Sequence, residues 1–449
     1  MRRLTERDAS GDRWARAKLP PMPFHTNALP VDAAPALDHG IRVVIDLRPL
    51  QQPERAPVTA AYLDNLLRAF AADPIQGEEF VVLLQAGLPD PTTSLPVLPV
   101  VGHRWLPTTR PLRATALIVD PFLARGASLA AGRGAAGGVV YHVAGANLPL
   151  ASRLPVVVTL LDLAPWELPH IYQASPASRF GERLRARMLR DALVIVGSEA
   201  IARSATRLLH LRPGRIQVIP FAAGPVAADI GGDARALAAG VKAERELLGL
   251  PERYLAFVGR YDARTDLPTL LDALAMLETK PRPGSLAADV PWPPALLMAG
   301  AGSGDQAALA RAAARRGLGE RLFYAPRLSE GRLATLVAGA RAAIRPSISD
   351  AVGLPALEAI ACGTPVVASA VGALPEVVGA AGVLVEARDP ARMARAIEAI
   401  WIDDALHRRS RDAAASLARQ RPTWAEIARL TRGVYAAAAV AAADWAPDR

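Results

Sequence analysis

Short apolar strands alternate with amphipathic helical stretches, and this alternation constrains the fold more than any other feature. The first series of apolar runs comprises IRVVID, EEFVVLLQA, TALIVD, GGVVYHVA, LPVVVTLLD and ALVIVGS. A second series comprises YLAFVG, ALLMAG, RLFYA, RAAIRPS, TPVVAS and GVLVE. Strands separated by helices are typical of parallel βαβ units. We therefore predict an α/β fold of two doubly wound, Rossmann-like parallel-sheet domains.

The domain boundaries follow from where this pattern starts, stops and restarts. A chain of 449 residues is too long for one ordinary core. The predicted segments are a flexible N-terminal extension at 1–40, a first domain at 41–222, a linker at 223–250, a second domain at 251–422 and a C-terminal helix at 423–449. This last helix could pack against either domain, including by crossing back to the first.

Composition narrows the class of protein. Apolar runs are shorter than the roughly 20 residues of a membrane-spanning helix, and Cys362 is the only cysteine, which excludes an internal disulfide. We expect a cytoplasmic protein. The net charge of +9 favours anionic partners. No nucleic-acid motif or aromatic-plus-basic array is present, so we expect no nucleic-acid partner.

One stretch, residues 347–367 (SISDAVGLPALEAIACGTPVV), combines acids with the start of a helix. It follows a predicted strand, and ligands of parallel sheets bind beyond the carboxyl ends of strands. Pro355 suits a first helical turn, so the amides of Val352, Gly353 and Leu354 should face a phosphate. Asp350 and Glu358 flank this cradle and would accept hydrogen bonds from hydroxyl groups. A diphosphate between two sugars, that is, a nucleotide sugar, fits this arrangement.

A structural alternative accounts for the same two acids. Glu358 would stabilise its helix through the macrodipole, and Asp350 would cap a turn. The residues by themselves leave both interpretations open.

Several stretches together resemble the retaining glycosyltransferases of family four, which have the GT-B fold. They begin with IRVVIDLRPLQ, VVVTLLDLAPWELP and VIVGSEAIARSATRLLHLRPGRIQVIP and continue with FVGRYDARTDLPTLLDALAML, LLMAGAGSG, LGERLFYAPRLSEGRLATLVAGARAAIRPS and the segment from Ser347 to Pro390. The resemblance extends from Ile41 to about Tyr435 and implies two facing Rossmann-like domains, the second binding the sugar donor.

The resemblance also implies roles for particular residues. Arg260 would neutralise the diphosphate and, with Asp350 on the transferred sugar, form the catalytic pair. Glu358 would bind the ribose hydroxyls. The main chain of Val352, Gly353 and Leu354 would contact sugar and phosphate, and Arg327 and Leu328 would lie at the nucleobase. His142, Asp162 and Ser198 would face the cleft on the acceptor side.

This chain departs from the family pattern at three of these places. Asp350 replaces the usual glutamate, and Leu161 stands where a histidine is expected beside Asp162. Thr265 replaces an expected lysine, which leaves Arg264 as a substitute cation. The N-terminal Gly-rich turn is replaced by ERAPVTAAY.

The expected activity is transfer of a sugar from a nucleoside-diphosphate sugar to a hydroxyl of a polysaccharide, lipid-linked or small-glycan acceptor. It would retain anomeric configuration and need neither metal nor another cofactor. Two alternatives stay open: a degenerate GT-B protein that binds a nucleotide or a protein without catalysis, and another GT-B enzyme such as a nucleotide-sugar epimerase. The Arg-rich run from Arg179 to Arg190 could meet an anionic membrane at its inner face.

Overall fold

A computed structural model describes residues 40–95, 98–108, 138–145, 154–300 and 303–443. Residues 1–39 of the predicted extension at 1–40 and the predicted strand TALIVD lie outside the described residues.

The first domain is built on a parallel sheet with the strand order β3-β2-β1-β4-β5-β6-β7. The strands are β1 Arg42–Asp46, β2 Glu79–Gln85, β3 Val100–Leu106, β4 Val139–Ala144, β5 Val156–Thr159, β6 Leu193–Val196 and β7 Ile216–Val218. The apolar runs predicted β1, β2, β4, β5 and β6. They did not predict β3 or β7, which lie at the two edges of the sheet. Edge strands need fewer buried apolar residues than central ones, and β3 accordingly includes Gly102, His103 and Arg104.

Helices connect these strands and cover the sheet. They are α1 Arg48–Gln51, α2 Pro57–Ala72, α3 Ala164–Glu167, α4 Pro169–Tyr172, α5 Pro176–Leu189 and α6 Glu199–Leu209. α2 contributes Leu63, Leu66, Leu67 and Phe70 to the core, the spacing of one buried face of a helix. Residues 179–189 of the Arg-rich run lie in α5, where Phe180 is exposed.

The second domain has a six-stranded parallel sheet with the order β10-β9-β8-β11-β12-β13. Its strands are β8 Leu255–Val258, β9 Leu296–Ala299, β10 Leu322–Tyr324, β11 Ala342–Arg345, β12 Val366–Ser369 and β13 Gly382–Val385. Each of them was predicted. Its central strands are buried on both faces and therefore read as continuous apolar runs.

Ten helices of the described chain follow α6. They are α7 Pro225–Asp229, α8 Ala234–Leu248, α9 Leu267–Glu278, α10 Ser303–Ala314, α11 Glu330–Gly339, α12 Leu354–Ala361, α13 Leu374–Val378, α14 Pro390–Ile402, α15 Asp404–Gln420 and α16 Trp424–Ala443. The segment 223–250, predicted as a linker, thus contains two helices. Arg332 of α11 binds both carboxylate oxygens of Glu244 of α8, at 2.7 and 2.8 Å, which ties α8 to the second domain.

The last helix, α16, packs against the first domain. Its Arg432 donates from Nε and Nη2 to the two oxygens of Glu78, at 2.9 and 2.8 Å, and both side chains are buried. The guanidinium carbon lies 4.8 Å from the centre of the Phe70 ring. Tyr435 of the same helix donates to, or accepts from, His142 of β4 at 2.7 Å. The chain therefore returns to its first domain after completing the second.

Replacing Arg432 by methionine should destabilise the fold by about 3–5 kcal/mol, because Glu78 would be left buried without its partner. Urea denaturation of the purified variant measures this loss. The double variant Arg432→Met with Glu78→Gln should recover a large part of it, since no buried charge remains. A single variant that loses under about 1 kcal/mol would show that this ion pair does not hold α16 in place.

Candidate functional site

The candidate site lies where the strand order of the second sheet reverses. β8 is the first strand of this sheet in the chain, and β9 and β10 add to one side of it while β11 to β13 add to the other. Such a switch point leaves a crevice at the carboxyl ends of the two central strands, where α/β proteins bind ligands. Here β8 ends at Val258 and is followed by Gly259, and β11 ends at Arg345.

Asp350 organises the turn that leaves β11. Its Oδ1 accepts the Gly353 amide at 2.7 Å, and its Oδ2 accepts Arg345 Nε at 2.8 Å. Its backbone oxygen accepts the Ala373 amide at 2.9 Å, and its side chain is 8% exposed. Each oxygen of this carboxylate thus already accepts a protein donor, and its predicted contact with a transferred sugar stays a prediction. The turn-capping alternative describes its contacts better.

The start of α12 differs in detail from the predicted phosphate cradle. Gly353 is its N-cap residue, with a φ of 70°, and a Cβ there would lie 3.2 Å from Val377 Cγ2. Glycine is thus required for both conformation and space. Because the Gly353 amide is bound to Asp350, it does not point at a ligand as predicted. Val352 is buried in the apolar core, and Leu354 is partly buried at the first turn.

Glu358 lies one turn into α12, near the same crevice. Burial raises the pKa of its carboxyl to about 7, the charge of Glu330 adds to this rise, and Arg345 opposes it. At neutral pH this side chain therefore carries a proton in a large fraction of molecules. A protonated carboxyl can donate as well as accept a hydrogen bond.

The two predicted donor-site arginines already contact protein groups. Arg264 donates to Asp262 Oδ2 from Nε and Nη2, at 3.2 and 2.8 Å, and to Asp162 Oδ2 of the first domain at 3.0 Å. Arg260 is exposed, and its Nη1 donates to the backbone oxygen of Arg55, also in the first domain, at 3.0 Å. Thr265, at the expected lysine position, is buried with its hydroxyl on the Asp262 backbone oxygen. Arg264, predicted as a substitute cation, is thus paired with carboxylates in this structure, and its contact with a diphosphate stays a prediction.

Arg327 and Leu328 follow β10 at the same edge of the second sheet. Arg327 is exposed, while Leu328 packs against a small apolar cluster around Tyr254. They thus lie at the carboxyl edge of the sheet, two strands from the switch point, and their contact with a nucleobase stays a prediction.

The three residues predicted on the acceptor side have different surroundings. Asp162 reaches the interface between the domains, where it binds Arg264. Ser198 is buried and caps α6 by accepting the Ile201 amide at 3.2 Å. His142 is fully buried in β4, between the hydroxyls of Thr159 and Tyr435 at 2.9 and 2.7 Å. The prediction that His142 faces the cleft is therefore wrong, and burial lowers its pKa to about 3.

Two further contacts across the domains were not predicted. The Glu376 carboxylate accepts the first amides of α6, from Glu199 at 3.0 Å and Ala200 at 2.7 Å. Ser349 donates to Glu167 at 2.6 Å, and burial raises the Glu167 pKa even though this hydrogen bond opposes the rise. Both contacts join residues more than 170 positions apart, so no local sequence signal could reveal them.

Two features of the described chain bear on membrane and metal chemistry. None of its helices combines the length and the apolar character needed to cross a bilayer. None of its groups of three or more His, Cys, Asp or Glu side chains is arranged to hold a metal ion.

Comparison with known protein sequences finds similarity to glycosyltransferases in the second domain. Residues 242–417 match the family model described as glycosyl transferases group 1. The D-inositol 3-phosphate glycosyltransferase of Streptomyces bingchenggensis is 35% identical over 204 residues, 44% of this chain and 44% of the relative. The protein of the same name from Mycobacterium tuberculosis is 39% identical over 165 residues, 35% of this chain and 32% of the relative. The chain thus matches less than half of the length of these curated relatives.

Solved structures support the fold over a larger part of the chain. Sucrose-phosphate synthase from Thermosynechococcus elongatus matches with a TM-score of 0.66 and 22% identity, over 89% of this chain and all 100% of that one. HepE from Anabaena in complex with UDP-glucose matches with a TM-score of 0.63 and 17% identity, over 88% of this chain and 99% of that one. Together with the two parallel sheets, these matches confirm the predicted GT-B fold.

The raised pKa of Glu358 predicts how stability should change with pH. The unfolded carboxyl has the ordinary pKa of 4.5 and the folded one a pKa of about 7, so ionisation progressively destabilises the fold as the pH rises through this interval. Glu358→Gln cannot ionise and should gain up to about 3 kcal/mol over the native chain at pH 8, and little near pH 4.5.

Thermal unfolding between pH 5 and 8 measures this difference. The exposed Glu320→Gln is the control and should leave stability nearly unchanged at either pH. A Glu358→Gln effect of equal size at both ends of the range would contradict the raised pKa.

Proposed function

We propose that this chain, whose residues 242–417 belong to the glycosyl transferases group 1 family, transfers a sugar from a nucleoside-diphosphate sugar to a hydroxyl acceptor. The observation that carries this proposal is the position of the crevice. It lies at the switch point of the sheet within the family-matched segment, between the turn after β8 and the start of α12. The binding of UDP-glucose by HepE, a structure of the same fold, supports the same donor class.

The proposed donor spans the second domain from base to sugar. The base would lie toward Arg327 and Leu328, the ribose hydroxyls against Glu358, and the diphosphate between Gly259 and the start of α12. Leaving-group charge would develop at the diphosphate, where Arg260 and the positive end of the α12 dipole lie. Asp350 takes an indirect part, because it fixes the turn that presents Gly353.

The proposed reaction retains the configuration at the anomeric carbon. The bond from that carbon to the diphosphate oxygen breaks, and the acceptor oxygen forms the new bond on the same face. The acceptor proton passes to the departing phosphate oxygen, so the chain itself need not supply a base. No metal ion is part of the proposal, since positively charged side chains and the helix dipole can stabilise the leaving group. Acceptors would approach from the first domain, near Asp162, and would be polysaccharide, lipid-linked or small-glycan hydroxyls.

A second candidate function is nucleotide binding without transfer. It is supported by the internal engagement of Asp350 and Arg264, two groups that the reaction would otherwise use. The two functions differ in one product, because only transfer or slow hydrolysis releases nucleoside diphosphate from the sugar. An epimerase would instead return an isomerised donor.

A panel of uridine, guanosine, adenosine and thymidine diphosphate sugars tests the proposal through nucleotide release in the presence of mixed acceptors. At least one donor should be consumed, and the same donor at 100 times its Kd should stabilise the fold by about 2.7 kcal/mol. Stabilisation without release would favour the binding function. If no donor stabilises the fold and none is consumed, the transfer function and the binding function are both rejected.

Arg260→Ala should lower kcat/KM for the active donor by about 100-fold, as expected for the loss of a group that stabilises developing charge. Steady-state nucleotide release is the measurement. Arg409→Ala, which removes an exposed arginine from α15, is the matched control and should retain full activity. An unchanged rate and donor affinity in Arg260→Ala would remove this residue from the mechanism.

A further inference from the structure

Arg345 lies at the switch point of the second sheet but was not among the predicted site residues. It is the last residue of β11, directly beside β8 at the switch point. Its side chain is only 13% exposed. Arginine in this position is unusual, because the preceding residues of the strand, Ala342 to Ile344, are apolar and buried. A buried guanidinium needs a partner for each of its N–H groups.

Only part of this need is met by the protein. Nε donates to Asp350 Oδ2 at 2.8 Å. Nη1 is buried and has no hydrogen-bond partner among the described residues. Buried unsatisfied donors are rare in folded proteins, and a bound anion is one group that would satisfy this one.

The surroundings of Nη1 show where that ligand would lie. A Cβ at residue 259 would come within 2.9 Å of Nη1, so the glycine in the turn after β8 lets the guanidinium lie against the main chain. The free donor therefore lies between the β8 turn and the β11 turn. These are the two loops between which a diphosphate would bind.

Competing cations at this place have other partners. Arg264 is paired with Asp262 and Asp162, and Arg260 is exposed and donates to the backbone oxygen of Arg55. Among these three arginines, Arg345 alone combines burial, a fixed orientation and an N–H without a partner. A buried, pre-oriented guanidinium binds phosphate more strongly than an exposed one, since little conformational entropy is lost.

We propose that Arg345 is a donor-binding residue: Asp350 fixes its guanidinium, and Nη1 donates to an oxygen of the diphosphate. This inference rests on the proposed function and adds a specific cation to it. It also gives the shorter acid at position 350 a role, because Asp350 then acts on the donor through Arg345.

Binding of UDP and of uridine, measured by titration calorimetry, tests the proposal without requiring turnover. Arg345→Met should weaken UDP binding by about 10- to 100-fold and leave uridine binding unchanged, because uridine has no phosphate. The UDP affinity of Arg345→Lys should lie between those of the native chain and Arg345→Met, since an ammonium group keeps the charge but not the fixed planar geometry of a guanidinium. Asp350→Asn should weaken UDP binding less than Arg345→Met, because Nη1 is still present.

Arg341→Met is the matched control, because Arg341 is a buried arginine just before the opposite end of β11. It donates to Asp404 and to the backbone oxygen of Ile400. This variant should lower the melting temperature but keep the UDP affinity within about twofold.

The outcomes separate this proposal from the proposed function. If Arg345→Met is folded and binds UDP as tightly as the native chain, or loses UDP and uridine affinity equally, the role of Arg345 is only structural and the proposal fails while the proposed function stands. If the native chain binds none of UDP, GDP, ADP and TDP, the proposed function and this inference fail together.

Discussion

The hydrogen bonds of the Asp350 carboxylate are the constraint on which the candidate site depends. One oxygen holds the amide that starts α12, and the other holds the guanidinium at the end of β11. A strand end, a helix start and a buried cation are thereby fixed to one another at the switch point of the sheet. Removing the carboxylate would leave both a buried arginine and a helix-terminal amide without their acceptor, which is why so short a side chain has so large a structural effect.

Contacts between the domains involve the same few elements. Arg264 reaches Asp162, Ser349 reaches Glu167, and Glu376 accepts amides at the start of α6. These contacts join the two domains, and one of them engages Arg264, a residue predicted to contact the donor. Donor binding would therefore replace some ion pairs within the protein by ion pairs between protein and phosphate. The net free energy of binding would then be smaller than the number of cations suggests.

Sequence patterns predicted the architecture better than they predicted the site. Continuous apolar runs identified the central strands because parallel sheets are buried on both faces, whereas the edge strand β3, with Gly102 and His103, gave no such signal. The turn at residue 353 was located correctly from its Gly and Pro. The protein partners of the Asp350 side chain were not predicted, because one of them is Arg345, which was read only as part of a strand. His142 was wrongly placed at the cleft because α16, far along the chain, covers it.

A crystal structure of the chain grown with UDP would show whether the switch point of the second sheet holds the diphosphate. We expect the diphosphate to lie between Gly259 and the start of α12, with a phosphate oxygen within hydrogen-bond distance of Arg345 Nη1 and with Asp350 still bound to Gly353. A diphosphate bound elsewhere on the chain, with Arg345 Nη1 still without a partner at the end of β11, would contradict this expectation.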